Sequence, residues 1–163
     1  MTASDYAAWW GAIVATLVLG WEIFRWLQEN NDRNQRVKGN LGALRAELAE
    51  NHKYGEAYLR DKVKSPLYRL PTVIYETALP ALLTDSALDE IKVGALVAYY
   101  GMVETLNRGL DEADRVRAGQ HSSGSSPEAA LDVAYGRNLL KAKQLVNEPY
   151  KPAVDAIGIP ATV

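Results

Sequence analysis

Apolar and polar positions along this chain fall into a continuous N-terminal run followed by several stretches of helical periodicity. From Tyr6 through Trp21 there are 16 residues without a charge. At about 1.5 Å per residue they cover roughly 24 Å as a helix, and extending to Leu27 reaches the roughly 30 Å of a hydrocarbon core. Extension takes in Glu22 and Arg25, which lie three apart and can pair on one face. The pattern predicts one N-terminal transmembrane helix over residues 1–27. All four tryptophans lie here, Trp9 and Trp10 at one end and Trp21 and Trp26 at the other, as an interfacial belt would place them. Ala8, Ala12, Thr16 and Gly20 recur every four residues, with Gly11 and Ala15 beside them. Small residues so spaced predict a helix-packing face, through which the span pairs with itself or with a larger membrane complex.

Basic residues then set an orientation. Arg25, Arg33, Arg36 and Lys38 follow the span, and neither Lys nor Arg precedes it. The positive-inside rule places the N-terminus outside and the remainder in the cytoplasm, as a single-pass protein of the inner membrane.

Residues 28–40, QENNDRNQRVKGN, are polar and rich in Asn, which predicts a juxtamembrane linker or a frayed continuation of the first helix. The helical domain follows over 41–148. Its first stripe is Leu41, Leu44, Leu48, Asn51, Tyr58 and Leu59, ended by Lys64-Ser65-Pro66. Asn51 is a polar group on an apolar stripe, read as a buried amide that fixes helix register. A short helix over 67–83 is entered near Pro71 and interrupted before Pro80, with Tyr68 and Tyr75 in its core or rim. The longest periodic run is 85–118. Asp85 or Ser86 caps it, Leu88, Ile91, Leu96, Tyr99, Val103, Leu106, Leu110 and Ala113 form its stripe, and Gly119 stops it. Beyond the Ser/Gly loop, Ser126 caps a helix over about 127–147 that opens with Pro127. Residues 149–163 read as an irregular tail. The whole is all-α: one N-terminal transmembrane helix, then a bundle-like domain of three or four helices.

Composition narrows function mainly by exclusion. With the anchor set aside, about 135 residues remain, enough for one core. A net charge of −2 and a pI near 5.7 give no nucleic-acid footprint. Cysteine is absent, which removes thiolate nucleophiles and Cys-based metal sites. The two histidines, His52 and His121, have Ala49 and Ala118 three residues before them, so no Glu-x-x-His pair exists. Neither a phosphate-binding glycine loop nor a nucleophile elbow is present. Glu47, Glu50, Glu56 and Glu104 are carboxylates that a bundle interior can gather, and Glu47, Asn51 and Glu104 are the candidate buried polar residues. No catalytic residue, metal ligand or cofactor site is expected.

The pattern Leu44-x-x-Glu47-Leu48-x-x-Asn51, then Tyr75, then Leu96-x-x-Tyr99 with Glu104 and Asn107, follows a Trp-Gly-Ala start between Trp10 and Thr16. Over roughly residues 6–110 it resembles a loose group of uncharacterised bacterial single-pass membrane proteins with a helical cytoplasmic domain. The resemblance implies a bacterial or phage origin and the topology above, and it transfers no activity. The function expected from sequence is a non-catalytic, membrane-anchored accessory or scaffold protein whose partners are the lipid bilayer and a membrane protein complex or a second copy. The alternative is a phage-related or defence-related membrane effector of spanin or abortive-infection type.

Overall fold

The computed structural model describes residues 3–61, 69–120 and 126–158, with side chains from residue 9 except 11, 12 and 61. The described residues are all-α, without a strand: α1 is Ala3–Asp61, α2 Val73–Thr84, α3 Glu90–Arg117, α4 Pro127–Asn147 and α5 Tyr150–Ala156. The chain divides into two units, Met1–Lys38 and Gly39–Val163.

The first unit is the N-terminal part of α1. Residues 28–40 continue α1 as helix, and Gln, Glu, Arg and Lys among the asparagines favour that conformation. No helix among the described residues is long and apolar enough to cross a membrane. This corrects the expected transmembrane helix, and with it the single-pass topology, the outside-to-cytoplasm orientation and the inner-membrane location. The uncharged run stops at Glu22 after 16 residues. Within it, six glycines and alanines, Thr16 and three indoles dilute the aliphatic content, and Arg25 and Glu29 follow within two turns. Arg25 pairs with Glu29 at 2.8 Å, four residues on, and not with Glu22 as spacing suggested.

The second unit has its core between the C-terminal part of α1 and helices α2 to α5. Leu44 and Leu48 from α1, Leu82 from α2, Leu96, Val103, Leu106 and Leu110 from α3, and Leu145 from α4 are buried in it. Small residues, Gly109 and Ala113 on α3 and Ala134 and Ala142 on α4, are buried too. Gly109 has a particular reason: a Cβ there would lie 2.0 Å from the Asn138 Oδ1 of α4.

Local signals explain most boundaries. Ser126 caps α4 by accepting from the Ala129 amide at 3.3 Å, with Pro127 at the first position. Gly119, at φ +77°, ends α3 with Gly119 N–H to Val116 O and Gln120 N–H to Arg115 O, a Schellman turn. The start of α3 differs from the expectation: Asp89 caps it, accepting from Lys92 N at 2.9 Å. Asp85 and Ser86 belong instead to the end of α2. Ser86 adopts φ 52°, and the Ala87 amide reaches back to the Leu82 carbonyl at 2.9 Å. That later start leaves Ile91 in the first turn, off the buried stripe and 86% exposed.

Two further expectations change. Pro80 does not interrupt α2; it sits inside the helix on an exposed side, where losing one backbone hydrogen bond is tolerated. The tail is not wholly irregular, since α5 forms there. Arg45 of α1 donates to the Ile157 carbonyl at the end of α5 (2.9 Å), and His52 stacks on Tyr150 with centroids 3.8 Å apart. Tyr68, His121 and the 64–66 stop lie outside the described residues.

Candidate functional site

Two arrangements stand out, one polar within the Gly39–Val163 unit and one apolar within the Met1–Lys38 unit.

The polar arrangement begins with Glu47, 2% exposed, on the α1 stripe. Its carboxylate faces the first turn of α2, which has no cap of its own: Thr72 makes no side-chain cap bond and turns to Glu76 at 2.8 Å. Glu47 Oε2 accepts from the Ile74 amide at 2.8 Å, and Oε1 from the Tyr75 amide at 3.0 Å. A carboxylate from another helix thus satisfies two orphan donors and meets the positive end of the α2 dipole. The Tyr100 hydroxyl completes the set, donating to Oε1 at 2.8 Å, while its ring stacks on Tyr75 at 3.9 Å. Burial, this hydrogen bond and the Glu47 charge hold the Tyr100 phenol far above the ordinary tyrosine range. Burial, with the Tyr150 and Glu47 charges, does the same to Tyr99.

The strap leading into α2 is fastened residue by residue. Asn107 of α3 accepts from the Leu70 amide and donates to the Leu70 carbonyl, both at 2.9 Å. Asn51 donates to the Pro71 carbonyl at 2.8 Å. Arg69 forks onto Asp111, at 2.6 Å, and Asp114. Burial alone would lower the Arg69 pKa, but the two aspartates raise it. This set commits Glu47, Asn51 and Asn107 to holding backbone. Both Glu47 oxygens are engaged and buried, leaving no face open to a substrate.

The other carboxylates do not join it. Glu50 accepts from Tyr54 at 2.9 Å, Glu56 lies 3.5 Å from His52 Nε2, and Glu104 pairs with Arg108 at 3.1 Å. Glu104 is exposed, which corrects its expected burial: it falls one residue past the Val103 stripe position. Among the described residues no cluster of His, Cys, Asp and Glu is placed to hold a metal. Sequence reasoning missed Tyr100, Asn107, Arg69 and Arg45. Asn107 carried a signal, being one turn beyond Val103 on a stripe otherwise apolar, the same logic that singled out Asn51.

The apolar arrangement is the surface of the Met1–Lys38 unit. Trp9, Trp10, Val14, Leu17, Val18, Leu19, Trp21, Ile23, Phe24, Trp26 and Leu27 are all exposed, Leu17 at 68%. The four indoles expected as an interfacial belt all stand exposed on the helix surface. Of the expected packing face, Ala15, Thr16 and Gly20 are exposed, whereas the side chains of Ala8, Gly11 and Ala12 lie outside those described. Trp21 and Phe24 touch at 6.2 Å between centroids. A shallow recess lies between Trp9, Ile13, Thr16 and Leu17.

Comparison with protein-family models, with curated proteins and with solved structures finds no match for this chain.

Proposed function

We propose that this is a non-catalytic assembly protein that works by packing the apolar part of α1 against helices of protein partners, with the Gly39–Val163 unit as the folded body so attached. The observation that carries this reading is the exposed apolar surface from Trp9 to Leu27. Folded monomers seldom expose contiguous apolar patches beyond a few hundred Å², and larger ones mark interaction sites. Aromatic side chains, which dominate binding energy at interfaces, are concentrated in it. The polar cluster supports the same reading, because its carboxylate is consumed in fixing α2.

The test is photocrosslinking in cells producing the full chain, with a photoreactive side chain in place of Trp21. Discrete protein adducts are expected. Lipid adducts alone, or no discrete adduct, would overturn the proposal. The same probe in place of Gln144, exposed on α4, is the control for unspecific capture.

A further inference from the structure

Resting on the assembly reading, we infer that the partner of the apolar helix is a second copy of this chain, packed parallel and in register as a coiled coil over residues 10–34. Numbered as a heptad with Trp10 at a, the a positions are Trp10, Leu17, Phe24 and Asn31, and the d positions Ile13, Gly20, Leu27 and Asn34. On that frame every charged residue between 9 and 37 falls at an outward position: Arg25 and Asp32 at b, Arg33 at c, and Glu22, Glu29 and Arg36 at f. The a, d, e and g positions carry no charge until Lys38, where the unit ends. From Trp10 to Leu27 the a and d positions are apolar apart from Gly20, and Asn31 and Asn34 continue the frame, a spacing that fits a coiled-coil seam.

One observation selects an identical, parallel partner, and two more accord with it. The first is the place of the amides. Parallel in-register pairing sets Asn31 against Asn31 and Asn34 against Asn34, and each amide both donates and accepts. An antiparallel pairing centred on the same stretch sets Asn34 against Trp10 and Asn31 against Ile13, leaving polar groups against apolar ones. A single polar residue at an a position fixes register and orientation in this way. The second is charge: because the charges point outward, two copies align without like charges meeting across the seam.

The third is area. Trp10, Trp21 and Phe24 are each well over half exposed, and large aromatics bury about 150–250 Å² each when covered. With Val14, Leu17, Ile23 and Leu27 they offer roughly 800 Å² per chain, about what one partner contributes to a standard stable interface. The recess between Trp9, Ile13, Thr16 and Leu17 lies at g, d, g and a, where a facing helix inserts a side chain.

The native chain has no cysteine, so single cysteines report the seam directly. Asn31→Cys, oxidised in the full-length chain, is expected to run at twice the chain mass, while Glu29→Cys, at the outward f position, stays at single mass. The unsubstituted chain is expected to sediment as an oligomer, and Phe24→Glu as a monomer whose tyrosine signals show an unchanged Gly39–Val163 unit. Equal crosslinking at positions 29 and 31, or a monomeric native chain, overturns the proposal. So does partition of the Asn31→Cys chain into phosphatidylcholine vesicles without formation of the disulfide at position 31. If Trp21 crosslinks only to a different protein, this inference falls and the assembly reading stands; if Trp21 yields no protein adduct at all, both fall.

Discussion

Removing the Glu47 carboxylate is the sharpest perturbation of the folded unit. Glu47→Ala leaves the Ile74 and Tyr75 amides and the Tyr100 hydroxyl without their acceptor, at 2.8, 3.0 and 2.8 Å in the native chain. Hydrogen bonds to charged groups contribute about 1.5–3 kcal/mol each, and losing a helix cap costs about 1 kcal/mol. Desolvation of the buried carboxylate offsets part of this. A net loss of about 3–4 kcal/mol is expected, against total stabilities of about 5–15 kcal/mol. Glu47→Gln separates hydrogen bonding from packing, since it keeps the shape but turns an amino group toward the Ile74 amide, donor against donor. It is expected to cost at least about 2 kcal/mol. A double-mutant cycle with Tyr100→Phe is expected to show coupling of about 1–2 kcal/mol. The assay is urea unfolding of the full chain followed by far-ultraviolet circular dichroism. All four tryptophans lie between residues 9 and 26, so indole emission tracks the other unit independently. If Glu47→Gln unfolds within about 0.5 kcal/mol of the native chain, the carboxylate is not what holds α2, and the argument fails.

Alkaline pH offers a second check. Burial, then Tyr135, pushes the Tyr58 phenol up to about 12, and Tyr99 and Tyr100 lie higher. The unfolded chain releases these protons near pH 10 while the folded one retains them, so stability complete below pH 10 is lost as pH rises beyond it. Phenolate absorbance of these three residues is expected to appear together with unfolding, and Tyr100→Phe is expected to make the alkaline fall shallower. Glycine substitutions should divide by site in thermal melts. Gly109→Ala is expected to destabilise by about 1–3 kcal/mol because its Cβ displaces Asn138. Gly136→Ala, with nothing within 4 Å of the added atom, is expected to stabilise by about 0.5–1 kcal/mol. Ser86→Gly, at φ 52°, is expected to raise stability by about 1 kcal/mol.

Where local chemistry decides the structure, the sequence was readable. Ser126-Pro127 and Gly119 marked helix ends because capping is settled by a few neighbouring residues. The stripes through Leu44, Leu48 and Asn51 and through Leu96, Tyr99 and Val103 were legible because burial repeats with the helical turn. Tertiary relations were not. Nothing near Thr72 indicates that α2 is capped by a residue 27 positions earlier, as the Ile74 bond to Glu47 shows. Asp85, Ser86 and Asp89 are all acceptable capping residues, and only the reversal at Ser86 distinguishes them. The N-terminal run misled because tryptophans and short uncharged residues imitate a span until the aliphatic content is weighed against length.

The bond from Arg45 to the Ile157 carbonyl joins positions 112 apart in the chain. Closing so long a loop is entropically unfavourable, which delays that contact until most of the unit has assembled. A clasp made after the rate-limiting barrier governs how fast the molecule opens and hardly affects how fast it closes. Arg45→Ala is therefore expected to quicken unfolding, while refolding keeps nearly its native rate.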